Sequence, residues 1–156
     1  MGPPLKVVTS FLASFGAAYF GYLFIDSRAL NWLAGLTMPA LAPSQNTFAV
    51  LWLIIYGAMA TALAIAWTKD PRPGHLEGWV RFFFVQLLFN AAFMMFFFGS
   101  QAVLIAFIAL LILGFMVLSL AVTAIEIDRR SAYLMGAYFL WIVFNGYLAV
   151  GIWLLN

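Results

Sequence analysis

Residues Trp79–Phe98 read WVRFFFVQLLFNAAFMMFFF, then comes Gly99-Ser100-Gln101, and Ala102–Ile125 reads AVLIAFIALLILGFMVLSLAVTAI. Each run is about 20 residues or longer, and a helix rising ~1.5 Å per residue then crosses a hydrocarbon core of ~30 Å. Three residues join only neighbouring helix ends, so the two runs form a tight antiparallel hairpin of membrane helices. Three further runs of similar length and character lie outside this hairpin, at Val7–Ile25, Thr47–Trp67 and Ala132–Leu155. The expected fold is an all-α membrane protein, a five-transmembrane-helix bundle in one domain over residues 1–156. Five spans cannot divide into two equal inverted halves, which argues against the commonest carrier designs.

The charges fit that reading. Seven residues are Lys or Arg. Lys6, Lys69, Arg72, Arg81, Arg129 and Arg130 fall at the N-terminus, the 2–3 loop or the 4–5 loop, and Arg28 alone falls on the other side. Basic residues collect on the cytoplasmic side, which places the N-terminus inside and the C-terminus outside a bacterial or archaeal inner membrane. The chain is 67% hydrophobic and 8% charged with a mean hydropathy of +1.08; a soluble domain carries about 25% charged residues. The net charge of +2 is therefore a topology signal. No basic stripe tracks phosphates, so nucleic acid is not an expected partner. Cysteine is absent, which excludes disulfides and thiolate chemistry.

The connector Asp26–Asn46 is the one long loop. It holds Arg28, Trp32, Pro39 and Pro43; the prolines oppose a continuous helix, and Trp32 suits the membrane interface. A loop of this length is often a lid or binding element, with Trp32, Pro39 and Pro43 as its candidate residues. The alternative is a passive connector. The loop Thr68–Gly78 contains Pro71, Pro73 and Gly74, which stop the second span.

Within the spans, polar side chains stand out. Gln86 and Asn90 share one face of span 3, continued by Phe93 and Phe97. Trp52, Tyr56 and Met59 share a face of span 2; Tyr138, Trp141 and Asn145 share one of span 5. If the faces converge, they enclose an aromatic-walled cavity for a flat hydrophobic ligand. The competing reading is ordinary packing, because amides often join membrane helices for ~0.6–2 kcal/mol and aromatic stripes are usually core. Small-residue ridges at Ala13/Ala17/Gly21, Ala58/Ala62/Ala66 and Ala102/Ala106/Ala109 permit close helix approach or a dimer seam. Clear of the span ends there is no ionisable side chain, which argues against ion-coupled transport. No nucleophile–base pair assembles there either, and the single histidine, His75, sits in a loop. No catalytic residue of the conventional kind and no metal site is expected.

Three blocks, in order, resemble the TspO/MBR family of tryptophan-rich sensory and translocator proteins, also called peripheral-type benzodiazepine receptors. Pro39-Ala-Leu-Ala-Pro43 leading into Phe48-x-x-x-Trp52-x-x-x-Tyr56 is similar to the family's proline loop and second helix. Gln86-x-x-x-Asn90 with Phe97-Phe98-Gly99 is similar to its third. Tyr138-x-x-Trp141 with the closing Leu155-Asn156 is similar to its fifth. The resemblance implies a homodimeric five-helix bundle whose pocket opens beneath the first loop and binds tetrapyrroles such as protoporphyrin IX. It makes Trp52, Phe93 and Trp141 pocket walls, with Asn90 and Tyr138 as polar members and Gln86 a weaker one. The chain departs from the family pattern at Leu33, Ala34, Leu41, Ser44 and Ala137, so a differently closing lid and an unkinked fifth span are expected. The sterol motif after Tyr147 is incomplete.

The leading functional reading is a membrane receptor or sensor binding a porphyrin through Trp52, Tyr56, Gln86, Asn90, Phe93, Phe97, Tyr138, Trp141 and Asn145, with no cofactor required. Metal-free porphyrin is preferred to haem, since no His or Cys lies at membrane depth. The alternatives are a light-dependent porphyrin-degrading enzyme acting through Trp52 and Trp141, a passive conduit for porphyrins or lipid-like molecules, and a signalling scaffold.

Overall fold

The computed structural model describes residues 1–69 and 73–156. The expected span-stopping role of Pro71 and the charge of Arg72 lie outside the described residues. Among the described residues the chain is helical without strands: α1 (Pro3–Tyr22), α2 (Ser27–Ala34), α3 (Gln45–Thr68), α4 (Pro73–Met94), a π-helical turn (Met95–Gly99), α5 (Val103–Ala124) and α6 (Arg129–Leu155). Four of these, with the π turn continuing α4, are long and apolar enough to cross a membrane. The pair α1 and α2, bent by 72°, meets the same measure together.

The helix starts follow from local chemistry. Pro3 and Pro4 open α1, where a missing N–H costs no hydrogen bond. Asp26 accepts from the Ala29 N–H at 2.8 Å, Ser44 from Thr47 at 3.3 Å, and Asp128 from Arg130 at 2.8 Å, capping α2, α3 and α6. The first cap corrects the sequence reading of residues 26–46. The first long helix ends at Tyr22 rather than Ile25, and the connector contains a two-turn helix. The end of the Trp79–Phe98 run also differs from a plain α-helix. The Ser100 N–H reaches the Met95 carbonyl and the Ala102 N–H the Phe96 carbonyl, both at 2.9 Å. That wider turn and the positive φ of Gln101 (55°) reverse the chain into α5.

The most extensive packing is α5 on α6, then α1 on α3, α4 on α5 and α3 on α6. Ala62 and Ala66 of α3 and Ala106 and Ala109 of α5 are buried inside the bundle. Those two ridges thus serve packing within the chain. The opposite side of α5 exposes Leu104, Ile108, Leu111 and Phe115, an apolar face suited to lipid. At the basic end, side chains fasten neighbouring helix carbonyls. Lys6 Nζ donates to Trp67 O at 2.9 Å, Ser131 Oγ to Ala62 O at 2.9 Å, and Trp79 Nε1 to Leu120 O at 3.0 Å.

At the other end the connector folds over the helices. Arg28 donates to the Gly99 carbonyl at 3.0 Å, closing the π turn. Asn156 brackets Thr37, accepting from its N–H at 2.8 Å and donating to its carbonyl at 3.1 Å. The Tyr147 hydroxyl donates to Ala40 O. Pro39 lies so close to α6 that a Cβ on Gly151 would come within 2.6 Å of it. Residues 39–42 form a turn closed by Ala42 N–H to Pro39 O at 3.2 Å, with Leu41 at φ 71°.

Candidate ligand-binding site

Under that connector lies a cavity of about 510 Å³. Its volume falls in the ~300–1,000 Å³ range usual for small-molecule sites. The aromatic wall is built from helix spacing. Phe48, Trp52 and Tyr56 succeed one another at four-residue steps on α3, and Phe93 and Phe97 do so on α4 and the π turn. Trp52 lies nearly parallel to Phe93, with ring centroids 6.4 Å apart and planes at 25°. Trp141 of α6 meets Trp52 edge-on at 5.8 Å and 85°. Phe97 packs against Phe93 at 5.8 Å and receives the edge of Trp32 from α2 at 5.4 Å.

One turn deeper, the same three helices meet through polar groups. The Tyr56 hydroxyl donates to Asn90 Oδ1 at 2.5 Å, Asn90 Nδ2 to the Tyr138 hydroxyl at 2.9 Å, and that hydroxyl to Gln86 Oε1 at 3.3 Å. All four residues are buried. The chain of donors fixes the amide orientation of Asn90 and ties α3, α4 and α6 at one level. Among the described residues four buried donors have no partner: Trp52 Nε1, Trp141 Nε1 and Gln86 Nε2 on these helices, and Ser14 Oγ on α1. A buried N–H without an acceptor costs on the order of 1–3 kcal/mol. Trp52 also lines the cavity, so a ligand acceptor there would remove that cost.

The sequence-derived candidates divide by position. Trp52, Tyr56, Phe93, Phe97 and Asn145 line the cavity, as does Pro43 of the connector. Gln86, Asn90 and Tyr138 stand behind the lining in the hydrogen-bonded layer, Tyr56 belonging to both. Trp141 backs Trp52 and gives its carbonyl to Asn145 Nδ2 at 2.7 Å. Trp32 buttresses Phe97, and Pro39 seats the connector on Gly151. Spacing alone did not single out several lining residues: Ala18 and Tyr22 of α1, Ile25, Leu30 and Leu33 of α2, and Met94. Phe48, Leu148 and Ile152 had a usable signal, since they continue the stripes of Trp52 and Asn145 at helical steps. Among the described residues no three His, Asp or Glu side chains come together as a metal site.

Comparison with known proteins agrees with this architecture. The pattern that defines the TspO/MBR family matches residues 8–154. The tryptophan-rich protein TspO of Bacillus cereus is 28% identical over 150 residues, covering 94% of each chain. The TspO of Chlorobaculum tepidum is 25% identical over 138 residues, covering 88% of this chain and 87% of its own. The human translocator protein is 26% identical over 157 residues, covering 98% and 92%.

Proposed function

Given that this chain belongs to the TspO/MBR family of integral membrane proteins, we propose that it is a receptor or sensor for a flat hydrophobic ligand, foremost a metal-free tetrapyrrole such as protoporphyrin IX. The observation that carries the reading is the cavity walled by Phe48, Trp52, Phe93 and Phe97, closed above by the connector and below by the polar layer. Parallel and edge-on aromatic faces there match a conjugated macrocycle, and stacking of this kind adds ~0.5–1.5 kcal/mol per pair beyond area burial. The thioethers of Met38 and Met94 and the phenols of Tyr22 and Tyr56 reach the lining, but the commoner axial donors, imidazole and thiolate, do not, which supports a ligand without iron.

The proposed frame is five spans, with α1 as the first. Its lower hydropathy comes partly from Ser10 and Ser14, both fully buried against the bundle, while Val8, Phe11, Leu12 and Phe15 are exposed. A helix that turns its polar atoms inward and its apolar side chains outward belongs in lipid. The basic end then faces the cytoplasm and the connector faces outward. The proposed functional unit is a homodimer, as the family resemblance implies.

The test is titration of the purified protein with protoporphyrin IX in the dark, following tryptophan quenching. Wild type should saturate at micromolar ligand. Trp52→Ala should weaken binding at least tenfold while keeping a cooperative thermal transition, and Trp141→Ala should weaken it less. Unsaturable quenching in the wild type, or equal affinity in Trp52→Ala, would remove the proposal.

A further inference from the structure

The cavity has a side opening. Seven of its lining residues are exposed: Tyr22 at 64%, Leu53 at 57%, Leu30 at 41% and Met38 at 40%, with Ala49, Gln45 and Asn46 beside them. They come from the last turn of α1, the first turns of α3, α2 and the connector. Leu53 stands eight residues inside α3, which places the opening as much as ~12 Å below the helix start. With α3 taken as a span, its 24 residues exceed a core of ~30 Å and put Leu53 at hydrocarbon depth. The exposed rim is apolar at Leu30, Met38, Ala49 and Leu53, and polar at the Tyr22 hydroxyl and at Gln45 and Asn46 of the helix start. The connector, in contrast, is fastened on the far side of the cavity, to α6 through Tyr147, Gly151 and Asn156.

The lining also holds no charged side chain; its polar members are Gln45, Asn46, Asn145, the hydroxyls of Tyr22 and Tyr56, and the Trp52 N–H. The cation on the same helix as Leu30 and Leu33 is Arg28, which donates to the Gly99 carbonyl at 3.0 Å. A carboxylate brought inside would meet amides, hydroxyls, the Trp52 N–H and aromatic faces, and no cation. An ion in such surroundings is strongly penalised unless paired, and it takes up a proton instead.

We infer that this pocket takes its ligand in an uncharged form from the bilayer, through the gap between the end of α1 and the start of α3. The inference rests on the ligand reading given above and names the form that the site selects. An aqueous dianion would have to lose its charge before entering, whereas a neutral relative dissolved in the leaflet arrives ready to bind.

The experiment compares protoporphyrin IX with its dimethyl ester on the full-length protein in phosphatidylcholine nanodiscs at pH 7.5. Binding is read by tryptophan quenching, with each ligand's partition into empty nanodiscs subtracted. Affinities are expressed as mole fraction in lipid, and Trp52→Ala reports which quenching comes from the cavity. The diester should bind at least tenfold tighter than the dicarboxylate. Ala49→Lys, which sets a cation in the rim close to the interface, should narrow that ratio at least threefold. A dicarboxylate that binds as tightly as the diester would overturn the inference and leave the receptor reading standing. Failure of both ligands to saturate the wild type would instead remove the receptor reading, and this inference with it. If Ala49→Lys does not fold, the wild-type ratio decides alone.

Discussion

One helical turn separates two layers of opposite character on the same three helices. Tyr56, Asn90 and Tyr138 form the inner layer; Trp52 stands four residues before Tyr56 on α3, and Phe93 and Trp141 three residues after Asn90 and Tyr138 on α4 and α6. In the inner layer the tyrosine hydroxyls and the Asn90 amide all engage one another. In the outer layer two indole N–H groups are buried without an acceptor. The difference teaches how a membrane bundle divides its work. A buried polar group that finds a protein partner holds helices together, and the Trp52 N–H, which finds none and faces the cavity, is left for an acceptor from outside. Gln86, one turn beyond Asn90 on the side away from Phe93, is the mixed case, since its Oε1 is used and its Nε2 is not.

The sharpest way to break this comparison is Asn90→Leu. It removes two hydrogen bonds and orphans the buried Tyr56 hydroxyl, while the Tyr138 hydroxyl keeps only its bond to Gln86 Oε1. Membrane hydrogen bonds are individually worth ~0.6–2 kcal/mol and an orphaned buried group costs ~1–3 kcal/mol. The expected loss is about 2–4 kcal/mol, seen as a lowered thermal midpoint in detergent. The same change at the outer layer should be milder. Trp141→Phe deletes an N–H that has no partner and keeps an aromatic ring against Trp52, so about 1 kcal/mol or less is expected. If Trp141→Phe proves the more damaging of the two, the division into holding and waiting layers is wrong.

Gly151→Ala sharpens the comparison from above. Its Cβ would meet Pro39 Cβ at 2.6 Å, with no flexible side chain to yield, so the connector must lift. Amide exchange at Thr37 and Ala40 should accelerate several-fold, and exchange in α4 around Asn90 should not. Gly21→Ala is the matched control, because there the added Cβ meets Met94 Cγ at 2.9 Å, which the methionine can rotate away, and Met94 Cβ at 3.3 Å, which needs a shift of only a few tenths of an ångström. Equal acceleration in both variants would mean that the connector is not seated by Gly151.

Much of this was legible in the sequence because membrane helices announce themselves by length. The runs ending at Phe98 and starting at Ala102 set the hairpin, and Asn90, Tyr56 and Tyr138 could be assigned to inward faces by periodicity. Periodicity gives a face but not a depth. It could not separate Trp52, on the cavity, from Asn90, one turn behind it. Nor could it find Tyr22 or Leu30, whose place in the lining depends on how α1 and α2 bend at residues 23–26. The α2 helix itself was hidden because eight residues nucleate poorly alone; the Asp26 cap, the Arg28 bond to Gly99 and the Trp32 contact with Phe97 are what hold it. The π turn was hidden for the same reason, its geometry being set by the reversal that follows it.

The smallest effect expected lies far from both layers and tests whether they are insulated from the basic end. There Lys69 pairs with Asp128 at 2.9 Å across the gap between α3 and α6. That hydrogen bond, followed by the one from the Arg130 N–H, holds the Asp128 carboxyl below its ordinary value of 3.8. A carboxyl whose folded pKa is depressed gives its stabilisation in full above the unfolded pKa and loses it as pH falls through the folded one. Wild-type thermal stability should therefore drop on acidification below about pH 5 more steeply than that of Asp128→Asn, which has no carboxyl to protonate. The difference should be small, because Lys69 is largely solvated, though Asp128 is mostly covered, and such solvent-screened pairs contribute little. It should also shrink in high salt. Tryptophan emission from the outer layer should stay unchanged throughout. Parallel acid limbs in the two proteins would show that the Lys69–Asp128 pair carries no folding free energy. A shifted emission would show that the basic end and the pocket are coupled, and the layers would then have to be treated as one unit.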